Sequence, residues 1–325
     1  MSHFPRLLLL SLLVAGALAI LGFSAGPAPA PPSTSVLLSS RPPDGLILST
    51  GNLYFTSHDG AGAAVWRMAQ TELPDQERVL YWEAGGRFGD IVFAQINGNF
   101  FGYFFAQSAG NITIKRIPLA GGNATILGSV GSDIDIVNSH HNLVTDGVNL
   151  YWQDVNSIRK MPIAGGTSTV LDNCNPNTPT AGIALQGTSI IYASVADIRF
   201  VPTSGAITSP TVRTIAIASS RVTALYADST SVYWGEQNGA IRRKAGSVTT
   251  TLSPAPGLVP TSISVNASAG NARAWTQCGS QSCQLSLDSG VNHSTPTIGA
   301  NAFGVAVTSS GNAFWGDAAG VHRAF

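Results

Sequence analysis

Three observations predict an all-β fold: an aromatic strand motif that recurs seven times, about four short strands per recurrence, and no amphipathic helical pattern beyond residue 40. The motif reads Leu53-Tyr54-Phe55, Tyr103-Phe104-Phe105, Leu150-Tyr151-Trp152, Ile190-Ile191-Tyr192, Val232-Tyr233-Trp234, Arg273-Ala274-Trp275 and Ala313-Phe314-Trp315. Its middle positions lie 50, 47, 40, 42, 41 and 40 residues apart. That period, with four strands to the unit, belongs to a β-propeller, here of seven blades, or of six if the divergent sixth unit is not a blade.

The elements follow in order. Arg6 and the apolar run Leu7 to Phe23, interrupted only by Ser11, Gly16 and Gly22, read as an export signal over residues 1–24, either cleaved or retained as an anchor, since a run of 17 residues reaches the lower limit of a membrane span. The Pro/Ala-rich stretch 25–32 is an extended linker, and 33–325 is the propeller. The clearest unit runs Leu143 to Leu171: an apolar strand, a turn with Asp146 and Gly147, the aromatic strand, a strand carrying Arg159 and Lys160, a turn closed by Gly165-Gly166, and the β-branched strand Thr167 to Leu171. The last unit stops after three strands. Ser33 to Leu37 matches the missing fourth, so this segment is predicted to pair with Val321 to Ala324 and seal the ring.

Within the aromatic strand, side chains alternate between faces, so Tyr151 points away from Leu150 and Trp152. The large aromatics are expected to be core between blades. Asp146, Asp228 and Asp44 are expected to form turns through their side-chain oxygens.

Composition narrows the function. Only 10% of the chain is charged, with 17 Lys+Arg against 17 Asp+Glu, which leaves no basic patch for nucleic acid. The 44% apolar content excludes a disordered chain. No nucleophile elbow, paired zinc histidines or phosphate loop is present, and four glutamates give a paired-carboxylate glycosidase thin support. No cofactor is expected, and no Asp/Asn run has calcium-loop spacing.

Cys278 and Cys283 flank four residues of a hairpin after Trp275, where they can form a disulfide; the alternative is two reduced thiols. Cys174 is left over. Candidate ligand-binding residues gather on connections between blades: Asp133, Asp135, His140 and His141 before the third unit, and Arg221 at the equivalent entrance of the fifth.

The runs Tyr151-Trp152-Gln153-Asp154, Tyr233-Trp234-Gly235-Glu236 and Phe314-Trp315-Gly316-Asp317 resemble the YWTD repeat of low-density-lipoprotein-receptor-type propellers. The fuller pattern, with Ile158 to Gly166 following, is similar to repeats of secreted bacterial propellers of unassigned function. The resemblance spans residues 44–325 and is sharp in the third, fifth and seventh units; the chain lacks the Thr of that motif and counts seven units where that family has six. What it implies is the fold. The expected function is an exported, monomeric, non-enzymatic scaffold that binds a protein, peptide or glycan on one face, at a membrane only if the leader is an anchor. The alternative is a metal-dependent hydrolase or lactonase with its site at the channel mouth.

Overall fold

Seven antiparallel sheets stand in a ring, and each is a strand, two hairpin partners and an outer strand, as the repeat requires. The computed structural model describes residues 35–71, 76–131, 142–154, 156–173, 181–205, 213–254, 256–266, 272–288, 293–294, 297–308 and 310–324. The expected signal (1–24) and linker (25–32), and Cys174, lie outside the described residues.

The N-terminal strand β1 (Ser35–Ser39) is set apart from the blade that follows it. The first blade is β2 (Pro43–Ser49), β3 (Asn52–His58), β4 (Gly62–Ala69) and β5 (Arg78–Ala84); the second is β6 (Arg87–Ile96), β7 (Asn99–Ser108), β8 (Asn111–Pro118) and β9 (Thr125–Gly131). The third is β10 (Leu143–Thr145), β11 (Asn149–Gln153), β12 (Ser157–Pro162) and β13 (Thr169–Asn173), and the fourth β14 (Ile183–Gln186), β15 (Ser189–Ser194), β16 (Asp197–Pro202) and β17 (Thr214–Ile217). The fifth is β18 (Val222–Ala227), β19 (Ser231–Glu236), β20 (Ala240–Ala245) and β21 (Val248–Pro254). The divergent sixth unit is a blade as well: β22 (Val259–Asn266), β23 (Ala272–Cys278) and β24 (Cys283–Asp288), its outer position shared by β25 (His293–Ser294) and β26 (Thr297–Ile298). The seventh is β27 (Phe303–Val307), β28 (Ala313–Asp317) and β29 (Gly320–Ala324), completed by β1.

The closure is as the sequence predicts: β1 pairs with β29, Ser35 opposite Ala324 and Ser39 opposite Val321. Arg323 reinforces it by donating from Nη1 to the carbonyl of Gln70 in the first blade, at 2.5 Å. Cys278 and Cys283 face each other across β23 and β24 and are joined as a disulfide.

Alternation builds the core. Trp152 and Leu150 pack toward the second blade with Phe105 and Ile114, while Tyr151 packs toward the fourth with Ile183 and Tyr192. Trp152, Trp234, Trp275 and Trp315 are all fully enclosed. Two glycines of the motif are required by close approach: a Cβ on Gly235 would sit 2.3 Å from the ring of Pro260, and one on Gly316 would sit 2.3 Å from that of Pro43. In both places the proline opens the neighbouring blade.

The turn aspartates behave as expected in two blades. Asp146 Oδ1 accepts from the amides of Val148 (2.9 Å) and Asn149 (2.7 Å), and Oδ2 accepts from the Tyr151 hydroxyl at 2.6 Å. Asp228 repeats the arrangement with Thr230, Ser231 and the Tyr233 hydroxyl. Asp44 is a correction. It lies inside β2, buried, with Oδ2 2.6 Å from His58 Nδ1. Burial pushes its carboxyl above the ordinary range, against the pull of His58 and Arg87.

A second correction concerns the second unit. Strand register puts Tyr103 opposite Arg116 and Phe104 opposite Lys115, as Tyr151 faces Lys160 and Trp152 faces Arg159. Tyr103, and not Phe104, is therefore the middle residue there; three consecutive aromatics left the alignment one residue loose.

Candidate functional site

In the third, fifth and seventh blades, the acidic residue at the end of the aromatic strand pairs with a basic residue of the next strand. These pairs are Asp154 with Arg159, Glu236 with Arg242 (2.6 Å) and Asp317 with His322 (2.8 Å). The charges that the motif repeats thus hold each blade together. Among the described residues, no three His, Cys, Asp or Glu side chains come together as a metal site.

The central channel holds about 360 Å³ of space beside Leu46, Val92, Val144, Tyr226 and Val307. Its wall is stitched from blade to blade. Tyr226 donates to the carbonyl of Val265 at 2.8 Å, and the Ser262 and Ser264 hydroxyls accept from the amides of Val305 and Val307 at 3.1 and 3.3 Å. The polar groups there are spent on closing the ring.

Of the predicted rim residues, Asp133, Asp135, His140 and His141 lie outside the described residues. Arg221 is described, in the connection from β17 to β18, half-buried; its Nε is enclosed without a hydrogen-bond partner. The same connection carries Ser219 and Ser220, which reach into the fifth blade. Ser219 donates to the Glu236 carboxylate, and Asn238 bonds Ser219 Oγ (3.0 Å), Ser220 Oγ (3.1 Å) and Glu236 (3.3 Å). Glu236 also accepts from Trp234 Nε1 at 3.0 Å. Burial works against its charge, but the bonds from Ser219 and Trp234 and the charge of Arg242 prevail and hold its carboxyl below the ordinary 4.5.

Beside this cluster the seam between the fourth and fifth blades opens into a hollow of about 500 Å³, large enough for several side chains. One wall is Ala216, Ile217, Ala218 and Ser219; the other is Trp234, Arg242, Lys244 and Thr249. Arg242 and Lys244 lie two residues apart on β20 and so project to the same face. Arg242 is offset by Glu236 and also bonds Thr251 Oγ1 at 3.1 Å, whereas Lys244 has no acidic partner among the described residues. The seam therefore carries one positive charge in excess. Ile217 beside it is 75% exposed.

Sequence reasoning placed Arg221 in the connection that leads into the fifth blade, where it lies, and missed the hollow. Its signal is Ala216-Ile217-Ala218, small side chains where a blade edge needs filling, and that reading requires the strand register.

No known protein family matches the chain, and no curated protein sequence matches it. Solved structures do. The chain is similar to streptogramin B lyase (TM-score 0.65, 13% identity, covering 90% of this chain and 97% of the other). It is also similar to the WD40 β-propeller domain of Doa1 (TM-score 0.61, 13% identity, 90% and 97%). A third match is a chain of the nidogen/laminin complex (TM-score 0.50, 18% identity, 72% and 86%). At such identities the likeness is one of fold, and the fold is a seven-bladed β-propeller.

Proposed function

We propose that this protein is an exported, non-enzymatic scaffold that holds its ligand at the seam between the fourth and fifth blades, beside the connection that carries Arg221. The observation that carries the reading is the hollow itself, edged by Ala216, Ile217, Arg242, Lys244 and Thr249. Elsewhere the charged pairs of the repeat are engaged within their own blades. Export is supported by the apolar leader and by the disulfide, a bond that persists in oxidising compartments. The YWTD-like repeat adds support for a secreted binding role.

The test is a peptide and glycan array probed with the purified chain, with Lys244→Glu, and with Thr249→Trp, an exposed residue at the edge of the hollow whose indole would cover it. Bound spots should be lost in both variants while circular dichroism and the melting temperature hold. Spots that both variants retain would move the site elsewhere, and an array without spots would remove the binding reading.

A further inference from the structure

Each blade leaves its outer strand on the rim of the ring, with a row of backbone groups that no neighbouring strand pairs. Most rim strands here are blunted. β5 carries Arg78 and Glu83, and its Leu80 carbonyl accepts from the Gly122 amide of the next blade; the Leu127 carbonyl of β9 accepts from Gly166 in the same way. β1 and β13 have five residues and β17 four, and the rim of the sixth blade is split between β25 and β26, of two residues each.

β21 is different. It runs Val248–Pro254 without a charge or a glycine. Val248, Thr249, Thr250 and Thr251 are all exposed, a succession of four that no other rim strand shows among the described residues. Its backbone pairs with β20 and with no other strand.

This edge reads alike in both directions: around Thr250 lie Thr249 and Thr251, then Val248 and Leu252. Two antiparallel copies of one strand meet about a two-fold axis, so a residue before the centre faces one after it. Centred on Thr250, such a pair sets threonine against threonine and aliphatic against aliphatic, both favourable cross-strand contacts. The backbone selects the same centre. The two-residue turn at Gly246 and Ser247 makes Ala245 and Val248 the hydrogen-bonded pair that closes the hairpin. Bonded and non-bonded pairs alternate, so Thr250 is bonded to Arg243, while Thr249 and Thr251 turn their N–H and C=O groups outward. In the two-fold pair Thr249 of one copy faces Thr251 of the other, and those outward groups bond each other.

We infer that the protein pairs with a second copy of itself through β21, joining two fifth blades into one eight-stranded sheet, in place of the monomer expected from its sequence. The partner is a second copy because the strand complements itself and offers no charge that would select another protein. A strand pair of this length covers less than the roughly 1,200 Å² at which stable interfaces begin, so the dimer is weak and concentration-dependent. Arg242, Arg243 and Lys244 of β20 stand one strand behind each edge, about 14 Å from their counterparts across the pair, and repel them at low salt.

Analytical ultracentrifugation of the purified chain over about 1–200 μM tests the inference: the dimer should grow with concentration and with added salt. Thr249→Pro removes an outward N–H that β20 does not use, so it should weaken the dimer about tenfold while the melting temperature of dilute protein holds. Cysteines read the register, in a Cys174→Ser background. Thr250→Cys lies on the axis, in a non-bonded pair with Cα atoms about 4.5 Å apart, and copper phenanthroline should oxidise it to a linked dimer. Thr249→Cys and Thr251→Cys should link to each other when mixed. A chain that stays monomeric at every concentration overturns the inference, as does a dimer that Thr249→Pro leaves intact, or one that links at Thr250→Cys no faster than at Ile126→Cys on another rim strand. A monomer whose Thr249→Pro variant loses an extended peptide from the array would give the edge to another protein and overturn it equally.

Discussion

The seam between the first and second blades and the seam between the fourth and fifth share strand order, bulge position and a cation on the receiving strand, and they differ in how the space between them is used. The first fills it with Tyr81 and Glu83. Burial, with Glu83 adding to it, pushes the Tyr81 hydroxyl up to about 12, so the ring stays neutral and donates to the carboxylate. The second leaves it open and turns its own acid, Glu236, inward to hold Arg242. A propeller can evidently give up one inter-blade filling, because each blade is also a hydrogen-bonded sheet with its own turn and strand clasps. What remains beside the larger indole of Trp234 is a surface hollow of about 500 Å³.

The largest effects should come from the aromatics that both seams retain. Phe104→Ala and Trp234→Ala should each cost about 3–5 kcal/mol, read by chemical denaturation; an unchanged midpoint for either would break the equivalence of the two walls. Next comes the filled seam's ion pair. Lys115→Met leaves Glu83 and Tyr81 facing each other without a cation, and a loss of about 2 kcal/mol is expected.

A pH series probes the open seam's inward acid. The Glu236 carboxyl sits below its ordinary 4.5 in the fold, so its contribution is complete above that value and disappears as the pH falls through the folded value. Asp317, Asp146 and Asp228, all held below 3.8, extend the loss to lower pH. Glu236→Gln should therefore cost about 1–2 kcal/mol at neutral pH and flatten the acid slope, and a slope identical to the parent would show that Glu236 is not engaged. The smallest effect belongs to Lys244→Met, within about 0.5 kcal/mol, since this cation has no acidic partner among the described residues. A cost as large as that of Lys115→Met would erase the contrast.

Much of the architecture was legible because the motif is periodic. The aromatic strand fixes which face each side chain takes, and the truncated seventh unit predicts the pairing of β1 with β29. Cys278 and Cys283 were readable because a four-residue hairpin leaves them opposite each other. Asp44 was misread since an acidic residue near a glycine looks alike in a turn and in a bulged strand; only His58, 14 residues on, distinguishes them. Tyr103-Phe104-Phe105 hid its register for want of a contrasting neighbour. The hollow was illegible for a deeper reason. It is a property of two residues that are absent in volume, opposite a wall about 25 residues further along the chain, and alanine in a strand carries no signal of what it fails to fill.

The pairing of β1 with β29 also has a kinetic side. The strand that seals the last blade precedes the other six blades in the chain and its partner follows them, so during synthesis the ring stays open until β29 has emerged. Six blades can form as hairpins zip locally, but the seventh waits on the longest loop closure in the molecule. Until then the chain is a curved ribbon with an unsatisfied edge at each end, the state most exposed to proteases and to other copies of itself.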